Sequence, residues 1–476
     1  MVWVDSRKGG SVDITFYGAA EEVTGSCYLI RNQGYHVLLE CGLFQGMPKS
    51  EARNSDPLPF DPKSIDAVIL SHAHIDHSGR LPLLVKAGYS GPIYTQEATR
   101  DLCNVMLADS AFLNEKEAEW ANRKRERKGL PLTEPLYTME DARHTITQFK
   151  TVYYHEEHEV VPGVKFILHD AGHILGASIV EIVLSEGGVE RRVVFSGDLG
   201  QKGLPILRDP EMVSGADLVL MESTYGDRLH RSWKETLEEF RAILLTAKYG
   251  RGNILIPAFT VGRTQEILYL FSKYYHEWRL DRWQIFLDSP MAIDSTEIYS
   301  RYSELYDREA REVSSSKGDF FHLPNFHLSR TTEESMKLNQ IRSGAIIIAG
   351  SGMCAGGRIK HHLKHNIWRK DTHLIISGFQ ARGTLGRLIV DGAAHIRLWG
   401  ETIKVAATVH TIGGLSAHAD QHGLLSWYQK MGSVPPVVLV HGEPSAQEVL
   451  KKLLQDQMGA DVTIATPGMR LNLLSR

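Results

Sequence analysis

No stretch of this 476-residue chain holds the roughly 18 consecutive apolar residues that a membrane-crossing helix needs, so no membrane role is expected. Its four cysteines, Cys27, Cys41, Cys103 and Cys354, lie far apart and form no Cys-x-x-Cys pair. That argues against a disulfide framework or a cysteine-based zinc site and fits reduced thiols in a cytoplasmic protein. Basic charge is not in excess either: the formal net charge is −4, so a nucleic-acid substrate would have to meet positive charge concentrated in a cleft. The N-terminal MVWVDSRKGGSVDITF lacks a basic segment followed by an apolar run, so export by a signal peptide is not expected. Internal repeats and low-complexity tracts are missing as well, with SSSKG at 314–318 reading as the one clear loop of that kind.

What is present is a long chain of ordinary globular composition, 42 % hydrophobic and 23 % charged. At this length two domains, or one domain with a large insertion, are expected. The first 220 residues alternate short β-branched runs with glycine-rich turns: VDITFYG, CYLIR, YHVLLE, AVILSH, PIYT, TVYY, KFILHD, SIVEIVL, RRVVFSGD and DLVLMES. Many strands with few helices between them predict sheet packed on sheet with helices outside. One helix is predicted to start near Asp76 and run through GRLPLLVKAG, and another to span 97–127, where apolar residues recur every three or four positions. The basic cluster RKRERK, Arg123 to Lys128, reads as the solvated end of that helix, its cations complementing the dipole.

From residue 227 the texture changes to helix, strand, helix. SWKETLEEFRAILLTAKYG and VGRTQEILYLFSKYYHEW are amphipathic, while NILIPAF, QIFLDS, AIIIAGS and HLIISGF are short apolar runs. This is the alternation of a parallel sheet covered by helices, and it predicts an inserted second domain over 227–405. The first domain then occupies 1–226 and resumes over 406–476, through KVAATVH, VVLVHGE and DVTIATPG.

The densest chemistry is SHAHIDHSGR at 71–80, directly behind the apolar run AVIL. Histidines at i and i+2 leaving a strand point the same way, so His72 and His74 can share one metal. Asp76 and His77, where the chain enters a helix, then face a point suited to a second metal at the separation of about 3.5–4 Å found in two-metal hydrolases. Further ligand candidates close strands elsewhere: His173 in HDAGHILGAS and Asp198 after RRVVFSGD.

In that order, SHAHIDHSG, AGHILGAS and FSGDLG resemble motifs two to four of the metallo-β-lactamase fold. ESTYGDR (222–228), GGLSAHAD (413–420) and VLVHGE (438–443) resemble motifs A, B and C of its β-CASP branch, which comprises nucleic-acid processing nucleases such as the pre-mRNA 3′-end cleavage endonuclease and its prokaryotic relatives. The resemblance spans about residues 12–470 and implies an αββα metallo-β-lactamase sandwich with an inserted α/β β-CASP domain containing a mainly parallel sheet. It further implies two Zn2+ per chain, one held by His72, His74 and His173, the other by Asp76, His77 and His441, with Asp198 bridging them. Glu222 and His418 correspond to motifs A and B. With the ligand Asp76 they make the expected catalytic group, a carboxylate-oriented imidazole delivering a proton to a leaving oxygen. Motif one usually carries Asp where this chain has Glu40, in HVLLECGLFQG, and that carboxylate is expected to orient a histidine from behind the ligands.

Two glycine-rich turns in the insertion, AGSGMCAGGR (349–358) and SGFQARGTLGR (377–387), each precede a predicted helix and can offer backbone N–H groups to anions. With the resemblance, they point to nucleic-acid phosphates, naming Ser351, Gly352, Arg358, Arg382, Gly383 and Thr384, and also Arg263 in IPAFTVGRTQE. His361 and His362 read as surface histidines. The implied activity is hydrolysis of RNA phosphodiester bonds to 5′-phosphate and 3′-hydroxyl ends, endonucleolytic or also from the 5′ end. The substrate is expected to be single-stranded RNA; because water is the attacking group, the chemistry alone does not separate it from DNA. Dimerisation, common in the family, is an expectation for the C-terminal strands. The rival readings are a non-catalytic RNA-binding scaffold, which requires lost metal ligands, and a small-molecule hydrolase of the wider fold, which lacks the insertion and motifs A to C.

Overall fold

The structure, a computed structural model, describes residues 12–46, 48–247, 252–378, 380 and 383–473. The chain divides into two compact units. The first comprises residues 1–202, 209–229 and 418–476, and the second 203–208 and 230–417.

In the first unit the described residues form two sheets of seven strands each. One runs in the order Arg470–Asn472, Asp13–Gly18, Cys27–Asn32, Tyr35–Leu39, Ala67–Ile69, Ile93–Gln96, Phe149–Val152. The other runs Val462–Ile464, Val437–Val440, Leu218–Glu222, Val189–Phe195, Ser178–Glu186, Val164–Asp170, His158–Val161. Alternation decides which side chains face the interior: along Val164–Asp170 every second residue is buried, bringing Val164, Phe166 and Leu168 into the core with Ile14, Phe16, Ile30, Val37 and Leu39 from the opposite sheet. Tyr28 joins the two layers, its ring lying edge-on to Phe16 at 5.5 Å and to Phe195 at 5.6 Å. Helices Glu97–Glu126 and Pro444–Met458 cover the outer faces of the two sheets.

Register brings strand ends together. Leu39 pairs with Ile69 in parallel, so the residues after both strands, Glu40 and Ser71, leave at the same edge. In the second sheet Leu218–Glu222 lies parallel to both neighbours, so the chain after Phe195, Glu222 and Val440 also emerges together. The turn joining Asp170 to Ser178 is at that same edge, since Phe195 pairs with Val180. Parallel strands collect functional loops at their carboxyl ends in this way.

The second unit is built on a parallel sheet in the order Phe326–Leu328, Gln284–Leu287, Ala345–Ala349, Ile254–Pro257, His373–Ile376, Thr408–Thr411. Its central strands are buried throughout, matching their unbroken apolar sequence. Helix Ile359–Asn366 packs Ile359 and Leu363 against Leu255, Ile347 and Leu374.

Several expectations need correction. The insertion does not stop at 405: TVHT, within the run that reads as resumed first domain, pairs with His373–Ile376 in the second unit's sheet. It does not begin cleanly at 227 either, because Gly203–Arg208 joins the second unit, with Ile206 accepting from the Asp307 N–H at 2.7 Å. The helix from Asp76 is two short helices, Ile75–Ser78 and Leu81–Lys86. The carbonyls of Asp76 and His77 that would continue the ladder accept instead from Ser26 and Cys41, and Pro82 opens the second helix. SSSK is the last turn of helix Arg308–Lys317, capped by Asp307 at its start and ended by Gly318 at φ 80°. His362 is fully buried on Asp288, while His361 is exposed and stacked on Trp399. The edge strand His158–Val161 had no clear sequence signal, being mostly half-buried.

Replacing Phe166, which lies at the centre of the two-sheet core, with Ala is expected to destabilise the first unit by about 3–5 kcal/mol. Urea unfolding followed by circular dichroism measures this; a loss below about 1 kcal/mol would contradict the tight packing described.

Candidate metal centre

The centre lies wholly in the first unit, at the edge where the two sheets release their loops. Ala67–Ile69 delivers Ser71, His72 and His74, and the short helix Ile75–Ser78 carries Asp76 and His77. The turn after Val164–Asp170 brings His173, the chain leaving Val189–Phe195 brings Asp198, and His441 follows Val437–Val440. Close approach between these loops is possible only without side chains at certain positions. A Cβ on Gly42 would sit 1.6 Å from the Asp76 carbonyl oxygen, and one on Gly200 2.0 Å from that of Gly172.

Two ligand groups result. His74 Nδ1 lies 3.2 Å from His72 Nε2 and 3.1 Å from His173 Nε2, and Asp198 Oδ2 is 3.6 Å from the latter two nitrogens. In the other group His441 Nε2 is 3.1 Å from His77 Nε2 and 3.4 Å from Asp76 Oδ2. The second Asp198 oxygen, Oδ1, stands 3.4 Å from His77 Nε2 and 3.6 Å from His441 Nδ1. One carboxylate therefore borders both groups.

These residues fit metal ions on two physical grounds. A single proton on His74 Nδ1 cannot satisfy two imidazole nitrogens at once, whereas a cation between the three rings accepts all their lone pairs. Asp198 Oδ1 is buried and makes no hydrogen bond, a costly state for a carboxylate oxygen unless a cation compensates it. Nitrogen and carboxylate donors in this proportion suit zinc.

The electrostatics agree. Burial opposes the charge on Asp198, yet the surrounding His441, His77 and His72 hold its carboxyl well below the usual range. Asp76 is likewise held well below its ordinary value by His77 and His441 despite burial. Burial pushes His72 down, and His74 to about 4, which leaves both rings neutral and ready to ligate. His77 goes the other way: burial is outweighed by Asp198, Asp76 and Glu40, so the pocket calls for positive charge at that point.

Behind the ligands, Glu40 is fully buried. Its Oε1 accepts from the Ser71 N–H at 2.6 Å, and its Oε2 from the Ser71 hydroxyl at 2.8 Å and lies 2.5 Å from His77 Nδ1. The backbone at Glu40 is left-handed, φ 65°, and His441 is similarly at φ 52°. Such conformations cost of order 1–3 kcal/mol each and persist where surrounding bonds over-determine them. Here Glu40 N–H donates to Ile69 and His441 N–H to Ala19. Sequence reasoning missed Ser71, whose hydroxyl also meets His72 Nδ1 at 2.9 Å, and Thr224, whose hydroxyl meets His441 Nδ1 at 3.0 Å. Both sit inside quoted motifs, but a lone hydroxyl carries no signal of its partner.

Beside the centre, His418 Nδ1 lies 3.3 Å and 3.4 Å from the two oxygens of buried Glu222 and 3.8 Å from Asp198 Oδ2. Glu222 is fixed by the Leu199 N–H at 2.6 Å, and the Ala419 N–H donates to the Leu199 carbonyl, so one loop positions both partners. Burial would lower the His418 pKa, but Glu222, with Asp198 and Asp76, raises it to about 9.

With this geometry in hand, three family matches are decisive: residues 20–245 match the metallo-beta-lactamase superfamily, 264–389 the Beta-Casp domain, and 402–465 the Zn-dependent metallo-hydrolase RNA specificity domain. The chain is also 40 % identical, over 95 % of its length and 98 % of the relative's, to Ribonuclease TTHA0252 of Thermus thermophilus. This chain belongs to the β-CASP family of the metallo-β-lactamase superfamily. Another β-CASP relative, Transcription termination factor FttA of Methanocaldococcus jannaschii, is 30 % identical across 91 % of this chain and 67 % of its own. A solved structure of a protein of unknown function from Enterococcus faecalis V583 shares the fold, with a TM-score of 0.53 at 13 % identity over 98 % of this chain and 100 % of that one.

The described residues among those expected to meet phosphates lie in the second unit, and two are corrected. Arg263 is buried in an ion pair with Glu266 at 2.5 Å, and Arg358 is bound to Asp288 at 2.7 Å and to the carbonyls of Ser329 and Arg330. Both guanidinium groups hold the fold together rather than facing a ligand. Ser351 accepts from the Gly356 N–H, Gly352 lies against the Phe259 ring, and Thr384 caps helix Leu385–Val390 with exposed Gly383 before it. Arg382 lies outside the described residues.

Glu40→Gln removes the carboxylate charge that faces His77 while keeping side-chain length, and is expected to weaken zinc binding about 10–100-fold in competition with a chromophoric chelator. Unchanged affinity would mean that Glu40 is only a structural hydrogen-bond acceptor.

Proposed function

We propose that this chain is a zinc-dependent ribonuclease that hydrolyses RNA phosphodiester bonds, leaving 5′-phosphate and 3′-hydroxyl ends. The observation that carries the reading is the pairing of His418 with buried Glu222 directly beside two ligand groups that share Asp198. Ribonuclease TTHA0252 supports RNA as the substrate class by its name and full-length similarity, as does the match to the RNA specificity domain. His72, His74 and His173 would hold one zinc and Asp76, His77 and His441 the other, with Asp198 reaching both. When bound, zinc supplies Lewis acidity to a phosphate oxygen and a water activated for attack at neutral pH.

The chain's own residues then do the rest. Glu222 fixes the His418 ring through Nδ1 and favours its protonated form, so that Nε2 carries the proton for the departing 3′ oxygen. Distances of 3.3–3.4 Å are long for a hydrogen bond, as is common for catalytic pairs without substrate. Glu40 keeps the His77 ring oriented from behind. A single-stranded RNA partner, a homodimeric assembly and a cytoplasmic location belong to the same proposal; the last is supported by the four unpaired, buried thiols. The scaffold reading loses its footing because the seven ligands are present and converge.

His418→Ala is expected to lower RNA cleavage by about 100-fold or more while zinc content stays at the wild-type level. Persistent cleavage in that variant would remove His418 as general acid. Incubation with end-labelled RNA and matching single-stranded DNA, each with a 5′ phosphate or triphosphate, then maps endo- against exonucleolytic cuts. If DNA is cut as fast as RNA, the substrate assignment fails.

A further inference from the structure

Near the edge of the second sheet of the first unit, at the carboxyl end of strand Val164–Asp170, three side chains from separate segments gather, none of them a ligand of the main centre. His155 Nε2 lies 2.7 Å from Glu211 Oε2, and the same oxygen is 3.7 Å from His169 Nδ1. All three ligand atoms lie within 4.8 Å of one another. The other nitrogen of His169, Nε2, is 2.8 Å from Glu181 Oε2, and Glu181 is in turn paired with Arg192 at 2.9 Å. A histidine whose far nitrogen is tied to a carboxylate has its ring orientation set and its near nitrogen made more basic, the usual support of a metal-binding imidazole. Backbone bonds hold the rest: the His155 N–H donates to Leu168, the Glu211 N–H to Asp170, and the Trp427 indole to the Glu211 carbonyl.

We propose that His155, His169 and Glu211 form a separate binding site for a divalent transition-metal ion of the Zn2+ class. Two imidazoles and one carboxylate favour zinc, cobalt, nickel or copper over the harder magnesium and calcium. With zinc–ligand bonds of about 2.0 Å, tetrahedral neighbours stand about 3.3 Å apart. The 2.7 Å and 3.7 Å separations straddle that value, so small rotations of the exposed His155 ring and of the partly exposed Glu211 carboxylate bring the three atoms into range. The remaining position faces solvent, as His155 is 58 % exposed, and takes water. The site ties together the turn at 155, the strand Val164–Asp170 and the chain just after it re-enters the first unit at Asp209.

The inference does not rest on the nuclease reading, and its test is a difference in metal stoichiometry. The full-length protein, His155→Ala and Glu211→Gln are dialysed against Zn2+ buffered with nitrilotriacetate, and zinc per chain is counted by mass spectrometry. Each variant is expected to bind one Zn2+ fewer than the wild type, whatever the occupancy of the main centre, and to cleave RNA at the wild-type rate. Adding Zn2+ is also expected to raise the Tm of the wild type by more than that of His155→Ala, which keeps the main centre and removes only an exposed ring. Equal zinc stoichiometry in all three proteins across the free Zn2+ range would overturn the proposal. So would an equal Tm shift in wild type and His155→Ala.

Discussion

Asp198 is buried between two sets of imidazoles with one oxygen left without a hydrogen bond, and much of the first unit is arranged around that condition. A desolvated carboxylate is tolerated only when positive charge is brought to it. The protein meets this by delivering five histidines, His72, His74, His77, His173 and His441, from three separate segments to the two sides of a single residue. Convergence requires strands whose ends share an edge, loops stripped of side chains at Gly42 and Gly200, and backbone at Glu40 and His441 held in an unfavourable conformation. The strain and close approach make sense only together with the cation that the ligands accept.

The same constraint explains the short helix carrying Asp76 and His77. Its carbonyls are taken by Ser26 and Cys41, which are chain neighbours of the strands flanking the first motif. Cys41 follows Glu40, and Glu40 reaches His77, so the first motif grips the second through both backbone and side chain. On the far side, Leu199 couples Glu222 and His418 to the loop that supplies Asp198, so hydrogen bonds tie that pair to the ligand set.

Much of this was legible because it is encoded locally. Strands in the first 220 residues announce themselves by β-branched runs bounded by glycine, and ligand density in SHAHIDHSGR exceeds what a packed core needs. Individual roles were far less legible where partners lie distant in sequence. Arg263 and Arg358 look like phosphate ligands beside glycine-rich turns until Glu266 and Asp288 are seen to occupy them. His362 reads as a surface residue because its charged neighbours are visible and Asp288, on another strand end, is not. TVHT has the texture of any edge strand, and texture cannot say which sheet it joins.

By itself, then, the sequence determined the kinds of strand and helix, the existence of an inserted unit, and the residue types that can bind metal, since periodicity and ligand chemistry are properties of short segments. Only the tertiary structure decided which imidazoles share an oxygen, where the second unit closes, and that His155, His169 and Glu211 meet at all. Those are outcomes of strand register, which joins residues far apart in sequence through backbone hydrogen bonds that no local pattern specifies.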